Sequence, residues 1–130
     1  MSHAHDTLIG NVPAAIVSLV RFQVTHYEGR VAEFNIATWL HLPGLDNLPV
    51  SLLISYKDGS VKREVVIDHG KVSAHGKILL SSVARLPVKH KIELMQVRLR
   101  SALSISGLVV EELFVQAVEP AQVDSRQALA

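Results

Sequence analysis

The chain is 130 residues long, 48% apolar and only 19% charged, with a formal net charge of +1. These proportions exclude a disordered chain and a coiled coil, and a domain of this size buries roughly two-thirds of the surface its unfolded form exposes. The absence of cysteine excludes a disulfide scaffold, a thiolate zinc site and a cysteine nucleophile, and the near-neutral charge gives no reason to expect nucleic acid or an anionic membrane as partner.

Residues 1–13 read as a flexible N-terminal segment. Met1-Ser2-His3-Ala4-His5-Asp6 places no basic region before an apolar stretch, and Ile16–Val20 is too short for a signal core. No run approaches the about 18 apolar residues of a membrane helix, so the expected location is cytoplasmic.

The folded domain is expected over residues 14–119. A first strand spans Ala15–Thr25, with Ile16, Val20, Phe22 and Val24 on one face, and a second spans Val31–Leu42, where Ala32, Phe34, Ile36, Leu40 and Leu42 alternate against Glu33 and Asn35. The prolines and glycine of His41–Pro49 make a long turn. Val50–Tyr56 and Val61–Asp68 flank Lys57-Asp58-Gly59-Ser60, and Asp-Gly between β-like runs is the strongest short-range hairpin signal in the chain. His69-Gly70 and His75-Gly76 read as two further reversals around Lys71–Ala74. Lys77–Val83, Ile92–Arg100 and Leu108–Val118 complete the set, and residues 120–130 read as a loose tail.

Short strands at roughly 8–12-residue spacing imply an all-β fold, an antiparallel immunoglobulin-like β-sandwich of about seven strands, with a small β-barrel as the alternative. Phe22, Phe34, Phe114 and Trp39 are expected in its core, which leaves Tyr27 and Tyr56 near turns as the free aromatics.

Charge is uneven. Lys57–Arg100 holds ten Lys/Arg against Asp58, Glu64, Asp68 and Glu93. That segment reads either as an anion-binding face or as basic strands lying beside acidic ones. A hairpin over Ser101–Gly107 would set Arg98 opposite Glu111 or Glu112, ordinary cross-strand pairing, and the near absence of aromatics disfavours single-stranded nucleic acid.

The seven histidines are the enriched chemical group. A terminal chelate through His3 is lost once the initiator Met is trimmed. Asp68 and His69 with His75, together with Lys89, His90 and Lys91, form the candidate ligand-binding set, although the spacing matches no metal-ligand signature. No metal and no cofactor is expected. No catalytic residue is expected either: there is no Gly-x-Ser-x-Gly elbow and no phosphate loop, and adjacent Glu111 and Glu112 face opposite sides of a strand.

One feature exceeds the needs of an isolated sandwich. Leu52-Leu53-Ile54, Val65-Val66-Ile67, Ile78-Leu79-Leu80 and Leu108-Val109-Val110 are apolar on both phases, whereas the outward phase of an antiparallel sheet is normally polar. The expected function is therefore a non-enzymatic interaction module acting through protein–protein contacts with a partner or with a second copy, the latter as a homodimer. The alternative is a small-ligand or metal-binding protein with its site in the loops around Asp68, His69, His75 and Lys89–Lys91.

Overall fold

Two-residue alternation dominates the computed structural model, which describes residues 4–25 and 29–118. The elements are β1 (His5–Asn11), a single helical turn α1 (Ala14–Val17), β2 (Gln23–Thr25), β3 (Gly29–His41), β4 (Pro49–Asp58), β5 (Val61–Lys71), β6 (Lys77–Pro87), β7 (Ile92–Ser101) and β8 (Val109–Ala117). They form an antiparallel β-sandwich of two sheets. Sheet A has the order β1-β7-β4-β5. In sheet B, β3 pairs with β6 on one edge, and β2 and β8 share its other edge. None of the described helices is long and apolar enough to cross a membrane.

The core lies between the sheets. Ala32, Phe34, Ile36 and Leu40 of β3 and Ile78, Leu80, Ala84 and Leu86 of β6 meet Val50, Leu52, Ile54 and Tyr56 of β4 and Met95, Val97 and Leu99 of β7. Burial keeps the Tyr56 phenol protonated, with its pKa pushed up to about 12, and the hydroxyl donates to the Pro87 carbonyl at 2.7 Å.

Both flanks of the sandwich are drawn together without a continuous ladder. On one, the Ser81 N–H of β6 donates to Asp68 of β5 at 2.9 Å. The backbone at Gly70 comes close to the opposite sheet there, since a β-carbon would sit 2.9 Å from Ile78 Cδ1 across the seam. On the other flank, β1 approaches β8. The absence of a ladder at these seams is why the molecule is a sandwich rather than the alternative barrel.

The strands expected from Val31 to Val118 are present, with β4, β5, β6 and β7 each longer than expected, β7 by a single residue. Three expectations are corrected. Ala15–Thr25 is not one strand: it holds α1, a linking stretch and the short β2. The expected flexible segment 1–13 carries β1, which pairs along β7 from His5↔Ser101 to Asn11↔Gln96. No reversal occurs at His69-Gly70, because β5 continues to Lys71. His3, Tyr27 and the expected tail at 120–130 lie outside the described residues.

Candidate functional site

The two sheets expose chemically different outer faces. On sheet A the outward residues lie in cross-strand rows set by the register: Asn11–Gln96–Ser55–Glu64, Leu8–Arg98–Leu53–Val66 and Asp6–Arg100–Ser51–His69. Most of these polar groups satisfy each other. Gln96 donates to Asn11 at 2.8 Å, and Arg98 donates through Nε to Ser55 Oγ at 3.3 Å and to Gln96 Oε1 at 3.1 Å. Arg100 reaches Asp6 at 2.6 and 2.8 Å and Glu64 at 3.2 Å. The hydrogen bond from Arg100 holds the Asp6 carboxyl below the ordinary carboxylate range, and Asp6 in turn raises the Arg100 pKa. Leu53, on the opposite phase to core Leu52 and Ile54, is nonetheless fully buried, with Arg98 and Val66 directly beside it.

Sheet B presents an apolar outer face. Trp39 lies directly opposite Leu79 on β6, and Phe114 lies opposite Ala37, diagonal to Trp39. Val83 lies two rows further along β6. Trp39, Leu79, Val83 and Phe114 are each 45–48% exposed, so half of every side chain meets solvent. Val109 extends the patch opposite His41. A bulge in β8 at Glu111 turns its carboxylate to Lys77 at 3.4 Å, and Trp39, Lys77, Glu111 and Glu112 line a cleft of about 480 Å³ at that end. Glu33 and Arg85 close the other end at 2.9 Å.

The exposed aromatics correct the expectation that Trp39, Phe22 and Phe114 are core residues. Of the four aromatics expected there only Phe34 is buried, and Tyr56, expected to be free, is buried in the core with it; Phe22 is partly exposed, with the Arg30 guanidinium 4.3 Å from its ring centroid. The signal was available in the phases. Trp39 shares the phase of Glu33 and Asn35, not that of Phe34 and Leu40, and Phe114 shares the phase of Glu112 and Gln116.

The candidate loop residues split into two places. His69, on the outer face of sheet A, has Nδ1 2.9 Å from Ser51 Oγ and lines a cleft with Lys71 and Arg100. Asp68 holds backbone: its carboxylate accepts the His69 and Ser81 N–H groups. His75 is exposed in the turn between β5 and β6, with its N–H donating to Ser73 Oγ. Lys89, His90 and Lys91 lie at the far end of β4, on the order of 20 Å away by strand rise. There the Lys89 and His90 N–H groups donate to Asp58 at 2.8 and 2.7 Å, and the Lys91 ammonium pairs with Glu93 at 3.2 Å. The two clusters do not converge. Among the described residues no group of three or more His, Cys, Asp or Glu could hold a metal ion.

Arg98 is corrected as well. Because β7 and β8 belong to different sheets, Arg98 lies opposite Leu8 and Leu53, not Glu111 or Glu112.

No protein-family model matches the chain, and no curated protein is significantly similar to it. Among solved structures, it is similar to that of the N-terminal CBM22-1–GH10 modules of endo-1,4-β-D-xylanase 10B from Clostridium thermocellum, complexed with xylohexaose. The TM-score is 0.54, with 13% identity over 67% of this chain and 17% of that one. This is a likeness of fold. It agrees with the two-sheet sandwich, and the chain spans only a small part of that protein.

Proposed function

We propose that the chain is a non-enzymatic β-sandwich interaction module whose contact surface is the outer face of sheet B, with a second copy as the first partner to test. One observation carries this reading: Trp39, Leu79, Val83 and Phe114 form a neighbouring, half-exposed apolar set on one face, while the outer face of sheet A is largely satisfied by its own hydrogen bonds. Contiguous apolar patches on a soluble domain mark contact surfaces, and aromatic anchors contribute most of the energy of such contacts. The ion pairs at its two ends, Glu33–Arg85 and Lys77–Glu111, supply a charged rim.

Light scattering coupled to gel filtration tests it. The expected result is a mass that rises toward a dimer with concentration and returns to a monomer in Trp39→Ser/Phe114→Ser. A monomeric mass up to millimolar concentration overturns self-association.

The same two aromatics support a second reading. A Trp and a Phe set diagonally on one exposed sheet face resemble a stacking platform for a sugar, and the similar xylanase structure is complexed with xylohexaose. Titration with xylohexaose separates the two readings: quenching of Trp39 fluorescence favours the sugar, and no change at millimolar ligand rejects it.

A further inference from the structure

We propose a second site, on the outer face of sheet A, that binds the phosphate group of a small phosphate monoester through Lys57, Lys62 and Arg98. The proposal does not rest on the reading of sheet B and concerns the opposite side of the molecule.

Three observations support it. First, Lys57 and Lys62 are direct cross-strand partners in the β4–β5 ladder. Like charges placed directly opposite each other destabilise a sheet, so a compensating anion belongs beside them. Neither lysine has an ion pair among the described residues, and Glu93, which lies directly opposite Lys57 on β7, pairs with Lys91 at 3.2 Å. Second, the Arg98 guanidinium is held by neutral groups, Gln96 Oε1 and Ser55 Oγ, rather than by a carboxylate. Those bonds use Nε and Nη2 and leave Nη1 without a hydrogen bond among the described residues, a positioned cationic donor for an oxyanion. The neighbouring carboxylates Asp6 and Glu64 are both taken by Arg100. Third, Lys57, Lys62 and Arg98 share one cleft of about 560 Å³ with Ser55, Gln96 and Leu94, and the Asp6 and Glu64 carboxylates that line it too are both paired with Arg100.

The backbone at that edge is strained. The β4–β7 register slips between Ser55 and Lys57, and Leu94 within the slip has φ +51° while 73% exposed. A bulge of this kind re-aims side chains beside a site, and a leucine in the left-handed region costs free energy that packing does not return here. Three cations fit a phosphate monoester, which carries about −1.5 to −2 at neutral pH, better than the single charge of a carboxylate.

Calorimetric titration at constant ionic strength tests the site with inorganic phosphate, glucose 6-phosphate and acetate. The expected result is saturable binding of both phosphates and none of acetate. Tighter binding of the sugar phosphate identifies an organic ester as the preferred form, and equal binding assigns recognition to the phosphate alone. Lys57→Gln and Lys62→Gln are each expected to weaken binding about tenfold, the loss of one charge-assisted contact. In phosphate-free buffer each should unfold at an equal or higher temperature than the parent, because the like-charge pair is relieved. Acetate binding as well as phosphate, or unaltered phosphate binding in both lysine variants, overturns the proposal. Arg98→Gln is the third arm, and the two surface lysines keep the test valid if that variant folds poorly.

Discussion

Asp58 ties the hairpin end of the sandwich together. Its side chain is fully buried, yet it accepts from the Lys89 and Lys-adjacent His90 N–H groups and from Arg63 Nε at 3.0 Å. Burial pushes its pKa up, and the two backbone donors with the Arg63 guanidinium outweigh that, holding it below the ordinary 3.8. Asp58→Ala leaves two backbone donors and a cation unpaired, and urea denaturation should show a loss of about 3 kcal/mol. A depressed folded pKa means the carboxylate stabilises fully above the unfolded value. Stability should therefore hold down to about pH 5 and fall as pH drops through 3.8 toward the folded value, and Asp58→Asn should flatten that slope. Asp68 stands in a milder version of the same role, clamping the β5–β6 seam through the Ser81 N–H. Asp68→Ala is expected to cost about 1–2 kcal/mol, whereas exposed His75→Ala should stay within about 0.5 kcal/mol, measured by the same denaturation.

At the scale of elements, β7 carries the irregularity with the clearest consequence. Glycine inside a strand ordinarily destabilises by about 0.5–1 kcal/mol, but at Leu94 it removes a left-handed strain of about 1–2 kcal/mol. Leu94→Gly should therefore be at least as stable as the parent and Leu94→Val less stable, a ranking that thermal unfolding reads directly. The strands that alternation revealed are those with one buried phase and a clean turn beside them. The β4–β5 hairpin was legible because Gly59, at φ +64°, begins the two-residue turn Gly59-Ser60. Asp58 was legible as a turn residue, not as the buried anchor it is, since its partners come from a loop some thirty residues later. β1 was hidden by its bulge: the register shifts between Leu8 and Gly10, so exposed Leu8 and buried Ile9 are adjacent and mask the two-residue period. Similarly, Ile16, Val20, Phe22 and Val24 share a parity, but Pro13 precedes a helical turn rather than a strand. The candidate site was half legible. The apolar excess at Leu79 and Val109 pointed to an uncovered face, but the sheet A network depends on β1 lying against β7, which local sequence does not encode.

At the scale of the whole molecule, the question is which aromatic side chains hold the fold and which are available to a partner. Phe34 and Trp39 share β3 and differ in phase, so they experience opposite environments five residues apart. Phe34 is wholly enclosed between the sheets, and Phe34→Ala should cost about 3–5 kcal/mol through lost burial and the cavity left behind. Trp39 rests on the outside of sheet B against Leu79 and near Phe114, and nothing among the described residues covers its exposed half. Trp39→Ser in the monomer should therefore cost no more than about 1 kcal/mol, the partial packing that the sheet itself provides. The two variants should also differ in solution behaviour. Phe34→Ala exposes core surface when it opens and should aggregate, whereas Trp39→Ser removes surface grease and should raise solubility. Urea denaturation at low protein concentration measures the first contrast, and the protein concentration at which turbidity appears measures the second. A Trp39→Ser loss as large as that of Phe34→Ala would mean that the outer face of sheet B belongs to the fold, leaving a partner nothing to bind.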